Sequence, residues 1–212
     1  MSIQSVSLWE TLASNCWEWA DTFSTYVRKV TQSNPNQQNY ILGYSLGGRL
    51  ALHALLANPH LWAGAIIVAA HPGYADPQKK KQSLERDRIW ANRFLSEPWD
   101  DLLAEWDALP VFGGRPCTTV REESGFNRHH IAHAFIAYSK GHMDYLTPQL
   151  SHLAVPITYI TGSDDQHYSQ IGQLLAQTCP NLTHITIPDA GHRVPWEHPE
   201  IFKQAIAQAL DL

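Results

Sequence analysis

Apolar residues follow two different rhythms along this chain. Between residues 8 and 31 they recur at helical spacing, through Leu8, Leu12, Trp17, Trp19, Phe23 and Val27, and predict one long amphipathic helix. Ser7 stands at its N-cap position and Glu10 three residues later, the spacing of a capping box. The polar stretch QSNPNQQ ends it. Four short continuous apolar runs come next: NYILGYS (39–45), AGAIIVAA (63–70), VPITYITG (155–162) and THITIPDA (183–190). Each is too short for a typical helix, so each predicts a buried strand. Helical spacing resumes from Leu46 to Leu56, directly after the first run. Alternation of this kind predicts an α/β fold, with four parallel strands adjacent in chain order and helices on both faces.

Residues 71–150 interrupt the alternation. They hold helix-like segments at 81–96, 98–107 and 121–140, separated by turns at Pro98, Pro110 and Pro116, and they carry no strand pattern. The expected organisation is a core built from residues 1–70 and 151–212, with 71–150 inserted as a helical cap.

Composition removes several alternatives. With 212 residues the chain can bury a core without metal or disulfide staples. A formal charge of −5, with no dense Lys/Arg block, argues against a nucleic-acid binder. No apolar run is long enough to span a membrane. The N-terminus MSIQSVSLWE lacks the basic and apolar regions of a signal peptide. Cys16, Cys117 and Cys179 are widely spaced and odd in number, which fits reduced thiols in a cytoplasmic protein.

The residues Gly43-Tyr44-Ser45-Leu46-Gly47 fit the pattern G-x-S-x-G, after a predicted strand and before a predicted helix. A sharp strand-to-helix turn lifts the serine oxygen above the sheet edge. The turn also sets the Leu46 N–H at the positive end of a helix, where it can stabilise an oxyanion. An acid and then a histidine should follow in sequence. After the third run, TGSDD offers Asp164 and Asp165. After the fourth, DAGH offers His192. Both lie just past strand C-termini, where open α/β sheets build their sites. Asp165 is the expected partner of His192, and Asp164 a loop residue. His198, before Pro199 at a helix start, reads as structural. His129, His130 and His133 share a helical segment, but no carboxylate or Cys completes a metal set, so no metal and no cofactor are expected.

The runs GYSLGGRLALHALL, HPGYADPQ, ERDRIWANRFLSEPW and EWDALPVF, with the TGSDD and AGH motifs, resemble the 2-succinyl-6-hydroxy-2,4-cyclohexadiene-1-carboxylate synthases. The likeness covers residues 8–112 closely, and 150–210 as generic α/β-hydrolase fold. It implies a lyase of menaquinone and phylloquinone biosynthesis. Such an enzyme eliminates pyruvate from an enolpyruvyl cyclohexene carboxylate that also carries a succinyl group. Its triad serine abstracts a proton rather than attacking an ester, and basic side chains hold the carboxylates of a small anionic substrate. Carried over, the likeness makes Ser45, Asp165 and His192 catalytic and Leu46 the oxyanion donor. It makes Arg49, Tyr44, Trp106 and Arg128 substrate contacts, and Arg88 of the DRxW motif either a substrate contact or a member of a surface ion pair. A fork-shaped guanidinium such as that of Arg49 suits a carboxylate.

The chain departs from the family pattern at several places. Ser83 stands where the family has a substrate arginine, with Lys79 to Lys81 as possible substitutes, and Asp107 stands where a tyrosine follows the Trp. Residues 113–146 match poorly. Family members carry further strands and an HG loop ahead of the serine. The expectation here is therefore a partial sheet with an open edge, a single evident oxyanion donor and low activity of the chain as given. A carboxyl-ester hydrolase on the same scaffold, or a non-catalytic binding protein, are the competing readings.

Overall fold

The computed structural model describes residues 3–8, 12–32 and 37–210. Four strands, β1 (Tyr40–Tyr44), β2 (Gly64–Val68), β3 (Ile157–Gly162) and β4 (Leu182–Ile187), form one sheet in the order β1-β2-β3-β4. Every pairing is parallel, with Leu42 opposite Ile66, Ile67 opposite Tyr159 and Ile160 opposite Ile185. The order and direction are those read from the apolar runs.

Side chains alternate across the sheet with a period of two. Ala65 and Ile67 of β2, with Ile157 and Tyr159 of β3, enter one apolar cluster with α1 (Cys16–Thr31) and α2 (Leu46–Ala57). Ile66, Val68 and Ile160 enter a second cluster with Phe202 and Ala205 of α9 (Pro199–Ala209). Burial on both faces is why these strands read as unbroken apolar runs. At β1 the second face is uncovered, and Tyr40 and Leu42 lie exposed there.

Between β2 and β3 lie α3 (Pro77–Ser96), α4 (Trp99–Asp107), α5 (Arg128–Ala137) and the short α6 (Thr147–Leu150). Trp90, Phe94, Trp99, Leu102 and Ile131 form a separate apolar cluster among them. After β3 come α7 (Gln166–Thr178), then β4, and after β4 the short α8 (Val194–Glu197).

Helix α3 starts at Pro77, four residues before the expected 81, because Asp76 caps it, and two other helices start later than the periodicity gives. Helix α1 starts at Cys16, not near Leu8, because Asn15 is its N-cap and accepts from the N–H groups of Trp17 and Glu18. The Glu18 carboxylate reaches back to the Ser14 N–H, so the real cap displaces one at Ser7; Glu10 lies outside the described residues. The predicted helix over 121–140 is shorter for a similar reason. Asn127 accepts from the N–H groups of His129 and His130 and starts α5 at Arg128, and Glu123–Gly125 form a single 3₁₀ turn ahead of it.

Candidate active site

Tyr44 closes β1, with Gly43 just before it, and Ser45 follows as the N-cap of α2. The Ser45 backbone sits at φ 50°, ψ −108°, a conformation that L residues rarely adopt. Neighbours hold it there: its N–H donates to the Val68 carbonyl (2.8 Å) and its own carbonyl accepts from the Arg49 N–H (3.1 Å). The turn is possible only because two glycines are small. A Cβ on Gly43 would lie 2.4 Å from the Gly47 carbonyl oxygen, and one on Gly48 would lie 2.5 Å from the Ala70 Cβ. The second glycine of the pentapeptide, Gly47, is not constrained in this way; its Cβ would meet only Leu8 at 3.9 Å.

His192 arrives from the turn after β4 and Asp165 from the end of β3, where it also caps α7. The His192 Nδ1 lies 2.6 Å from Asp165 Oδ2, and its Nε2 lies 3.1 Å from Ser45 Oγ. A carboxylate can only accept, so in the neutral imidazole Nδ1 carries the proton and Nε2 offers its lone pair to the serine hydroxyl. The second Asp165 oxygen accepts from the Tyr168 N–H (3.3 Å), which fixes the carboxylate. Asp165 and His192 are both buried. Tyr168, Tyr44 and Phe112 surround the imidazole, with ring centroids 4.7, 5.4 and 6.0 Å away. Burial pushes the Tyr168 phenol up to about 12 and the Tyr44 phenol up as well, so both stay neutral and keep a hydroxyl proton to donate. The Leu46 N–H, in the first turn of α2, has no intrahelical acceptor, and Leu46 lines the cavity beside Ser45.

Ser45 and His192 open on a cavity of about 830 Å³. Trp90, Phe94, Trp106 and Phe135 supply much of its apolar wall, and Arg49, Arg86 and Lys140 supply positive charge. Among the described residues no group of three or more His, Cys, Asp or Glu side chains gathers as metal ligands would.

The model of the alpha/beta hydrolase fold matches residues 14–199. The chain belongs to the α/β-hydrolase family. Within it, the chain is 30% identical over 219 residues to a 2-succinyl-6-hydroxy-2,4-cyclohexadiene-1-carboxylate synthase of Serratia proteamaculans, covering 92% of this chain and 84% of that one. It is 32% identical to the synthase of the same name from Photorhabdus laumondii, covering 82% of this chain and 63% of that one. Kinship at this level sets the chain among those synthases within the family. MenH from S. aureus superposes with a TM-score of 0.76 at 22% identity, covering 91% of this chain and 75% of that one. A thermophilic esterase from Thermogutta terrifontis gives 0.71 at 21% identity, covering 100% and 75%. At such identities these two report the hydrolase fold alone.

Of the remaining candidates, Tyr44, Leu46, Arg49 and Trp106 line the cavity. Arg88 and Arg128 do not. Arg88 lies on the exposed face of α3, because Asp87 and Trp90 turn inward and their neighbour must point out. Arg128 is consumed by structure: its guanidinium donates to the Phe94 and Glu97 carbonyls (3.1 and 2.7 Å), pairs with Glu123 and lies over the Trp99 ring. Lys79, Lys80 and Lys81 do not reach the cavity either. The charge beside Ser83 comes instead from Arg86, whose Nη2 donates to Ser83 Oγ (3.1 Å) one helical turn on. That spacing of three residues was the signal available in the sequence.

Other unexpected partners explain the departures from the family pattern. Asp107 pairs with both Arg121 and Arg193. Arg193 follows His192 directly and lies flat on Phe112, 3.7 Å from the ring centre. Asp164 pairs with Arg115, which also reaches Glu197 (3.0 Å). The segment after α4 is thus tied by charge to the two loops that carry Asp165 and His192. His133 donates to the Ala13 carbonyl (2.8 Å), and His198 Nε2 bonds the Asp189 carbonyl (3.2 Å).

Proposed function

We propose that this chain is a lyase that eliminates pyruvate from an enolpyruvyl cyclohexene carboxylate bearing a succinyl group, the reaction that yields the product in the relatives' name. The observation that carries the reading is one hydrogen-bonded line, Asp165–His192–Ser45, ending in a largely aromatic cavity whose charge is positive. His192 takes the Ser45 proton and Ser45 takes the proton from the ring carbon next to the succinyl carbonyl. The electron pair moves through the ring double bond and the C–O bond to the enolpyruvyl group breaks; the departing enolate oxygen takes the proton held by His192, and the enol so formed tautomerises to pyruvate. Charge growing on the succinyl oxygen meets the Leu46 N–H. One such donor is worth about 10²–10³ in rate. Arg49, one of whose nitrogens is spent on the Tyr138 carbonyl (2.6 Å), holds a substrate carboxylate with the rest of its fork.

In this reading residues 71–150 act as a cap over a core of 1–70 and 151–212, supported by the cap's own apolar cluster. Three free thiols, two of them buried, accord with a cytoplasmic enzyme of menaquinone or phylloquinone biosynthesis. The test is pyruvate release from the enolpyruvyl substrate, coupled to lactate dehydrogenase, for the chain and for Ser45→Ala. Release abolished by Ser45→Ala supports the reading. Hydrolysis of simple carboxyl esters with no pyruvate release replaces it with the ester-hydrolase alternative.

A further inference from the structure

The turn that carries His192 is held in two different ways along its length. Up to Ala190 it is fastened by backbone bonds to the residues just after β3. The Ser163 N–H donates to the Ile187 carbonyl and the Asp164 N–H to the Ala190 carbonyl, both at 2.9 Å. Past Ala190 the support changes. The N–H groups of Gly191 and Arg193, on either side of His192, both donate to one side chain, the carboxylate of Glu197 in α8. Gly191 reaches Oε2 at 2.7 Å and Arg193 reaches Oε1 at 3.0 Å. Bonds from N–H groups to an ionised carboxylate are stronger than those between neutral groups.

Glu197 is itself fixed. Its side chain is 13% exposed, and Arg115 Nη1 lies 3.0 Å from the same Oε2 that Gly191 reaches. The guanidinium also pairs with Asp164, the neighbour of Asp165. One arginine thus joins the loop of the acid to the clamp on the loop of the histidine. The space between them is filled: a Cβ on Gly191 would lie 2.8 Å from Arg115 Cδ and 3.2 Å from Glu197 Oε1. Helix capping explains part of this arrangement. Arg193 is the N-cap of α8, and a carboxylate one turn on accepts from its N–H much as in a capping box. Capping does not explain Gly191, which lies two residues before the cap and outside the helix.

We infer that Glu197 is a positioning residue for His192: by holding the N–H groups on both sides of it, the carboxylate aims the imidazole so that Nδ1 meets Asp165 and Nε2 meets Ser45 at once. This rests on Ser45 and His192 being the reacting pair, as proposed above. The two ring contacts, 2.6 and 3.1 Å, lie at opposite ends of one rigid ring, so a small turn of the backbone breaks one of them. Glu197 is not among the residues that line the cavity, so its effect passes through the backbone and not through contact with substrate. Loss of the clamp should therefore lower kcat and spare KM. It should also let the imidazole sample the tautomer protonated on Nε2, which cannot take the serine proton.

The test compares Glu197→Gln and Glu197→Ala with Phe202→Leu, a core substitution in α9. Glutamine keeps the size of the side chain and one acceptor oxygen, but turns an NH₂ group toward the other N–H. Glu197→Gln should lower kcat for pyruvate release about tenfold, the scale of one charge-assisted hydrogen bond. Glu197→Ala should lower it about a hundredfold, the scale of a 1 Å displacement. KM should stay nearly unchanged in both. Phe202→Leu should lower Tm and leave kcat as it is. The second readout is the His192 tautomer, read from the ring-nitrogen shifts of the nitrogen-15 histidine-labelled chain at mildly alkaline pH and assigned with His192→Gln. Wild type and Phe202→Leu should show the form protonated on Nδ1, and Glu197→Gln a mixture of both forms at temperatures well below its Tm. Wild-type kcat and tautomer in Glu197→Gln overturn the inference and leave the lyase reading standing. A kcat loss in Phe202→Leu equal to that in Glu197→Gln overturns it too, since general destabilisation then suffices. A tautomer mixture in Glu197→Gln alone, with no pyruvate release by the wild type, keeps Glu197 as the positioning residue and removes the reaction.

Discussion

Adding one methyl group at Gly43 should disable the site from beneath. The new Cβ would lie 2.4 Å from the Gly47 carbonyl oxygen and 2.7 Å from the Gly48 nitrogen, where ordinary contact begins at 3.4 Å. These are backbone atoms of the first turn of α2, and no side chain can swing aside to relieve them. The turn must move by roughly 1 Å, carrying Ser45 and the Leu46 N–H away from His192, which sits 3.1 Å from the serine oxygen. Overpacking of this kind costs about 1–3 kcal/mol, and for a chain of this length each kcal/mol lowers Tm by about 2–4 °C. A displacement near 1 Å at reacting groups costs about 10² in rate. Gly43→Ala is therefore expected to lower Tm by several degrees and kcat for pyruvate release by about a hundredfold. Gly47→Ala is the control. Its Cβ meets only Leu8 at 3.9 Å, so activity should persist, and α2 should gain up to about 1 kcal/mol from the better helix former. Gly43→Ala with wild-type kcat, or Gly47→Ala as damaging as Gly43→Ala, would refute the idea that backbone crowding against α2 sets the serine.

Asp165→Asn should keep the fold but lose about 10⁴ in kcat, because an amide no longer holds the imidazole in the required tautomer; near-equal kcat would remove Asp165 from the site. His71 is buried, its Nδ1 accepts from the Gly73 N–H (3.0 Å), and burial pushes it down to about 3. The unfolded state therefore binds one more proton than the native state between about pH 6.5 and 3, and stability falls with falling pH by up to about 1.4 kcal/mol per unit across that window. His71→Asn, titrated by chemical denaturation from pH 7 to 4, should flatten this slope. Asp107→Ala leaves Arg193, 9% exposed, and Arg121 without their shared acid. It should cost about 2 kcal/mol, between surface and buried pairs, and speed proteolytic cleavage within 113–121.

The two central strands, β2 and β3, were legible because burial on both faces leaves each a nearly uninterrupted apolar run. The edge strands β1 and β4 are only partly buried and were legible from their short, β-branched apolar segments between turn residues. Ser45, Asp165 and His192 were legible because each sits at a strand end, in a turn whose shape its immediate neighbours dictate. Helix starts were harder, since Asn15 and Asn127 compete as caps with other polar residues nearby and only a formed turn decides between them. Arg49 was legible because it follows the serine turn directly, but the sequence pattern misassigns the cations of residues 71–150. Arg86, Arg88 and Arg128 all lie in helical patterns, and a helix alone does not say which of its faces meets a cavity. Packing of α3 against α5 decides that: it aims Arg86 at Ser83, turns Arg88 to water and spends Arg128 on two carbonyls. Lys140 joins Arg49 across 91 positions for the same reason, through a turn held against α3 by a contact that exists only once the helices have met.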